Sequence, residues 1–211
     1  MSRVEAVISD FGGVLTSPLL DSFVAIQNSS DIPLGALGEA LAAVAGRTGV
    51  NPLFKLETGR MTEAEFLAGL DRELTALLGR EVHLHDFGRR YFEQLRPNNE
   101  LIEYMRGLRD RGYKLAICTN NVREWEARWR AMLPVDEIFD LVVDSAFVGA
   151  RKPERRIYEV TLERLGVAAG DAVFVDDVEI NCEAARELGL TAVWFRSTKQ
   201  AIEEIEAALG A

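Results

Sequence analysis

Cysteine and histidine are scarce in this 211-residue chain, and basic residues are outnumbered by acidic ones. Its two cysteines, Cys118 and Cys182, stand at no redox or metal-ligand spacing, which fits a reduced, cytoplasmic setting. Cys118, inside an apolar run, reads as a small buried hydrophobe. The two histidines, His83 and His85, read as a surface pair beside a helix start. Lys and Arg number 24 against 34 Asp and Glu, for a formal charge of −10. That balance argues against a general nucleic-acid binder, which needs a basic face. No apolar run approaches the ~18–20 residues that span a bilayer, so no membrane association is expected. The opening MSRVEAVIS is too short and too soon acidic to read as a signal peptide. Repeats and low-complexity tracts are lacking too. What is present, 48% hydrophobic and 27% charged residues, is ordinary for a globular protein. The length suits one large domain or a domain with a sizeable insertion.

Five short apolar runs, VEAVISD, YKLAICTN, FDLVVDS, DAVFVDD and TAVWFRS, read as buried parallel strands. Helical patterns lie between the later four. NVREWEARWRAML has apolar residues at 3–4 spacing, with Trp125 and Trp129 on one face. PERRIYEVTLERLG begins with Pro and ends with Gly, and EINCEAARELG also ends on Gly. The series predicts an α/β fold with a Rossmann-like, mainly parallel sheet and helices on both faces. About 80 residues after the first strand contain helical patterns only: IPLGALGEALAAVAG, MTEAEFLAGLDRELTALLG and LHDFGRRYFEQL, with Thr62 a predicted N-cap. The expected organisation is a core of residues 1–15 plus 97–211 and an inserted helical cap of residues 16–96. Such a cap would sit over the carboxyl ends of the strands, where open α/β sheets bind ligands.

Those strand ends carry the chemistry. The first ends in Asp10, the second in Thr119-Asn120, and the fourth in Asp176-Asp177, while Lys152 follows the third. A parallel sheet brings all of them to one edge. An aspartate can take a phosphoryl group and so divide one hard displacement into two. Asp10 and Asp177 offer hard oxygen ligands for Mg²⁺. Lys152 can neutralise phosphoryl oxygens and keep the carboxylates ionised. Thr119 and the main-chain N–H groups of the turn at Phe11 and Gly12 can donate to the same oxygens.

The motifs DFGGVLT, CTNN, RKPERRIYEV and FVDDVEINCEAARELGL, in this order, resemble the four motifs of the haloacid dehalogenase-like (HAD) superfamily. The helical insert resembles its α-helical C1-type cap. KPERRIY and DDVEINCEAARELG look most like the branch with bacterial sugar-phosphate phosphatases and the N-terminal phosphatase domain of soluble epoxide hydrolases. The resemblance implies Asp10 as nucleophile and Mg²⁺ held by Asp10, the Gly12 carbonyl and Asp177, with Asp176 acting through water. It implies phosphate binding by Thr119, charge neutralisation by Lys152, substrate orientation by Asn120 and loop support by Asn181. The expected substrate is a small phosphorylated metabolite, such as a sugar phosphate, and the expected state a monomer or homodimer.

One position departs from the pattern. Most phosphatases of the superfamily carry a second aspartate two residues after the nucleophile, as general acid and base; here it is Gly12. Its carbonyl can still hold a metal. General acid–base help is typically worth about 10²–10⁴-fold, so a metal-independent 2-haloacid dehalogenase and a catalytically weak phospho-ligand-binding regulator stand as alternatives. The Asp176-Asp177 pair argues against the first. A phosphonatase would need a cap lysine, and Lys55 is the only lysine of the insert. Asp21, Glu57 and Arg60 are candidate cap contributors.

Overall fold

The computed structural model describes residues 4–18, 32–84 and 86–210. Asp21 and His85 therefore lie outside the described residues. The chain runs through β1 (Ala6–Ser9), α1 (Leu34–Thr48), α2 (Pro52–Glu57), α3 (Glu63–Leu78), α4 (Phe87–Gln94) and α5 (Asn99–Asp110). It continues through β2 (Lys114–Thr119), α6 (Glu126–Arg130), α7 (Val135–Ile138), β3 (Leu141–Asp144), α8 (Ser145–Val148) and α9 (Arg155–Leu165). The remaining elements are β4 (Ala172–Asp176), α10 (Glu179–Glu187), β5 (Thr191–Trp194) and α11 (Thr198–Leu209).

The five strands form one wholly parallel sheet in the order β3-β2-β1-β4-β5. Alternate residues of a strand face opposite sides, and here both sides are covered. Val7, Leu115, Ile117, Val173 and Val175 join the core under α5 and α11. Ala6, Ile8, Ala116, Cys118, Ala172 and Phe174 join the core under α9 and α10. Burial on both faces is why these strands read as unbroken apolar runs. The chain turns away from β1 in both directions along the sheet, so the switch point lies at the end of β1, the usual ligand crevice of this topology.

Helices α1 to α4 share a separate hydrophobic cluster that includes Phe66, Leu70, Leu74, Phe87 and Tyr91. Among the described residues between 16 and 96 there is no strand, only a bridge from Thr16 to Pro97. That bridge holds the outgoing and returning chain side by side: Ser17 N donates to Arg96 O at 2.8 Å and Asn98 N to Leu15 O at 2.9 Å. Asn98 adds a side-chain bond to Val14 O at 2.9 Å while capping α5.

Thr62 caps α3 as the sequence predicts, and does so in a full capping box: its hydroxyl accepts from Glu65 N, and the Glu65 carboxylate accepts from Thr62 N. The NVREWEARWRAML segment differs from expectation. It is a 3₁₀ turn over Arg123–Trp125 followed by the five-residue α6. Trp129 is fully buried against Phe11, while Trp125 leans into the cluster of the α1–α4 helices. Trp125 packs against both clusters and Trp129 against the first alone. The sequence reading also passed over α2, although Asn51 as N-cap and Pro52 at the first helical position mark its start. No helix of the described residues is long and apolar enough to cross a membrane.

Candidate active site

Asp10 stands one residue beyond β1, its N–H still bonded to Val175 O at 2.8 Å. Its Oδ1 accepts from its neighbour's amide, Phe11 N, at 2.7 Å and pairs with Lys152 Nζ at 2.8 Å. The same Nζ donates to Asp176 Oδ2 at 2.6 Å. Asp176 Oδ1 accepts from Val178 N at 2.8 Å and Asn181 Nδ2 at 3.0 Å. Lys152 is 1% exposed and Asp176 wholly buried, so the ammonium is a fixed bridge between two carboxylates. Its backbone is fixed as well. Asn120 Oδ1 accepts from Lys152 N at 2.7 Å, and Asn120 Nδ2 donates to Lys152 O at 3.0 Å.

Asp177 completes the cluster beside the turn that follows Asp10. Gly13 has φ +79°, and a Cβ there would come within 2.2 Å of Asp177 Oδ2. Only glycine permits both the left-handed backbone and this approach. One carboxylate oxygen from each of Asp10, Asp176 and Asp177 lies within 4.8 Å of the others. With three carboxylates ionised and one ammonium between them, the cluster carries a net −2. All-oxygen donors with that residual charge fit a hard divalent cation such as Mg²⁺.

The electrostatics agree with such a fit. Burial pushes the Asp10 carboxyl up to about 7; Lys152 opposes this, and Asp176 and Asp177 add to it. Burial and then Asp176 push Asp177 up to about 6. Burial alone would lower Lys152, but Asp10 and Asp176 raise it above the ordinary lysine value. The lysine therefore stays charged, and a cation bound among the carboxyls would offset the burial and mutual repulsion that raise Asp10 and Asp177.

Thr119, 1% exposed at the end of β2, lines this cavity of about 560 Å³ together with Asp10, Gly12, Asn120, Lys152 and Asp177. Phe11 packs on Trp129, with ring centroids 5.2 Å apart. From the α1–α4 side, Glu57 at the end of α2 reaches in and pairs with Arg151, Nε to Oε2, at 2.5 Å. Burial raises the Glu57 carboxyl against the opposing effect of Arg151. Arg151 also covers the Phe54 ring at 4.0 Å. Arg60 reaches the main chain instead, donating to Gly149 O at 3.4 Å. Lys55 lines neither this cavity nor the one beside it. Sequence reasoning missed Arg151, although it directly precedes Lys152.

A second cavity, of about 270 Å³, lies beside the first between α1–α4 and Trp125. The two share Gly12, Glu57, Thr119 and Asn120. Tyr91 lines it, and burial together with the charges of Asp10, Asp177 and Glu57 raises its phenol above the ordinary value. The sequence carried no separate signal for this chamber, because its residues repeat at the spacing of any helix core.

Comparison with known proteins follows the same lines. A family model described as haloacid dehalogenase-like hydrolase matches residues 4–189. The chain is 29% identical to acyl-CoA dehydrogenase family member 10 of Mus musculus, over 97% of this chain and 19% of that protein. It is 24% identical to bifunctional epoxide hydrolase 2 of Sus scrofa, over 98% of this chain and 39% of that protein. It is 36% identical to a glyceraldehyde 3-phosphate phosphatase of Pyrococcus abyssi, over 44% of this chain and 39% of that protein. It thus spans well under half the length of these curated relatives. A solved HAD family enzyme, BT-2542 of Bacteroides thetaiotaomicron, in complex with magnesium and inorganic phosphate, shares the fold. The TM-score is 0.65 at 22% identity, covering 90% of this chain and 93% of that one.

Proposed function

Because the chain belongs to the haloacid dehalogenase-like hydrolase family, we propose that it hydrolyses phosphate monoesters of small metabolites, with Asp10 as nucleophile. The observation that carries this reading is Lys152, a buried ammonium bonded to both Asp10 and Asp176 with Asp177 alongside. A site built to displace halide from carbon gains nothing from three clustered carboxylates around an anionic substrate. The phosphatase name of the Pyrococcus abyssi relative supports the same choice.

Asp10 Oδ1 is held by Lys152 and Phe11 N, so Oδ2 is the oxygen assigned to attack. A bond forms from Oδ2 to phosphorus, and the bond from phosphorus to the ester oxygen breaks. The freed alkoxide takes a proton and leaves as an alcohol. Water then attacks phosphorus, the phosphoaspartate bond breaks, and inorganic phosphate and the Asp10 carboxylate are regenerated. Thr119 donates to the phosphoryl oxygens, Lys152 neutralises their charge, and Asn120 positions Lys152 through its backbone. Asp10, the Gly12 carbonyl and Asp177 would hold Mg²⁺, with Asp176 acting through water; when bound, the ion shields the phosphate from the carboxylates. Gly12 has no proton to give. Glu57, which lines the junction of both cavities, is the carboxyl assigned to proton exchange at the ester oxygen. Residues 16–96 act as the cap. A cytoplasmic monomer or homodimer fits the two free, buried cysteines and the acidic surface.

The test is release of phosphate or halide from a panel of phosphate esters and 2-haloacids, with Mg²⁺ or chelator. Phosphate release that requires Mg²⁺ and disappears in Asp10→Asn is the expected result. Halide release untouched by chelator would overturn it. Metal-dependent ligand binding without turnover would turn the reading to a regulatory protein.

A further inference from the structure

From the chamber beside the catalytic cavity we infer that the ester's organic group is apolar, a chain or ring system of about ten carbons, rather than a sugar. This rests on the phosphatase reading above and adds the substrate class. The chamber adjoins the phosphate site: Gly12, Glu57, Thr119 and Asn120 line both spaces. A phosphoryl group seated at Asp10 therefore directs its ester oxygen toward the junction and its organic group into the chamber. Beyond the junction the wall formed by the described residues is mainly apolar, with Leu41 on α1, Leu53 on α2, Phe66 and Leu70 on α3, and Phe87 and Phe92 on α4. Trp125 closes it, stacked on Tyr91 with centroids 5.2 Å apart and edge-on to Phe92 at 5.4 Å.

Size and charge select the occupant. At about 270 Å³ the space is nearly twice the ~150 Å³ apolar cavity that accommodates a benzene, which sets the scale of about ten carbons. Each sugar hydroxyl buried there without a partner would weaken binding about five- to a hundredfold. The charged side chains lining the chamber, among the described residues, are Glu57 and Glu63, with no Lys, Arg or His. A second anionic group on the substrate would thus meet like charge in an apolar space.

The experiment compares kcat/KM for butyl, hexyl, octyl and decyl phosphate and glucose 6-phosphate, with Mg²⁺ present. The expected rise is about three- to fourfold per added methylene, levelling beyond about ten carbons. Glucose 6-phosphate should fall at least a hundredfold below decyl phosphate. Leu67→Trp, on the chamber side of α3, should lower the decyl-to-butyl ratio at least tenfold. A flat series, or glucose 6-phosphate turned over as well as decyl phosphate, overturns the inference and leaves the phosphatase reading standing. If neither these esters nor p-nitrophenyl phosphate release phosphate, the phosphatase reading fails instead. The chamber is then judged by calorimetric titration of the Asp10→Asn protein with butyl and decyl phosphate. Decyl phosphate bound at least a hundredfold more tightly supports the inference, and equal affinities overturn it.

Discussion

At Lys152, burial and charge pull in opposite directions. Removal from water disfavours the ammonium, but Asp10 and Asp176 at 2.8 and 2.6 Å hold it charged. That residue, Asp10, Thr119 and the Asp176-Asp177 pair were legible in the sequence as candidates because each lies at or beyond the carboxyl end of a strand of a parallel sheet. Glu57 was legible only as a candidate, and its partner Arg151 not at all, since nothing local couples residues 94 positions apart. Glu57→Gln should lower kcat for alkyl phosphates about 100-fold, the low end of general acid–base help. It should change kcat for p-nitrophenyl phosphate, whose leaving group needs no proton, less than tenfold. Equal losses on both substrates would assign Glu57 to packing. Asp144, which caps α8 through Ala146 N at 2.9 Å beside Thr119 in the sheet, offers a pH test of stability. Burial pushes its carboxyl from 3.8 up to about 6, Ala146 N–H opposing and Glu126 adding to the rise. Between those values the folded chain keeps a proton that the unfolded chain has lost, so stability falls as pH rises through the window. Melting curves of Asp144→Asn, which cannot titrate, should gain on wild type from pH 4 to pH 7; a gap independent of pH would refute the shift.

Elements were legible where their pattern is local. All five strands lie within the runs expected, because burial on both faces leaves an unbroken apolar signature. The Thr62 cap of α3 was equally plain, since Thr62 and Glu65 are three residues apart. Thr62→Ala should destabilise the protein by about 1 kcal/mol, read as a lower denaturation midpoint. The Asp10 cluster does not touch this helix end, so phosphate release from p-nitrophenyl phosphate should persist. The segment over Arg123–Met132 was misread as one helix. Helical spacing places Trp125 and Trp129 on one face, but Trp129 is buried in the core under α5 and α11, while Trp125 packs between that core and the α1–α4 cluster.

The molecule as a whole is organised around the edge where the strands end and the α1–α4 helices approach. The proposed cation should stabilise the fold by mass action, about 2.7 kcal/mol at a hundredfold excess over its Kd. In a chain of this length that is a rise in Tm of roughly 5–10 °C. Thermal melts with and without Mg²⁺ should show it in the wild type and lose most of it in Asp177→Asn. A full shift in that variant would place the cation elsewhere. The sequence by itself determined the parallel α/β sheet, the polar residues gathered at its strand ends and the helical nature of the described residues between 32 and 96. Those features follow from periodicity and from chemistry carried within a few consecutive residues. Only the tertiary structure decided that Lys152 bridges two carboxylates, that Glu57 meets Arg151, and that an apolar chamber adjoins the site. These depend on distances between helices and loops far apart in the chain, which a pattern of neighbouring residues does not encode.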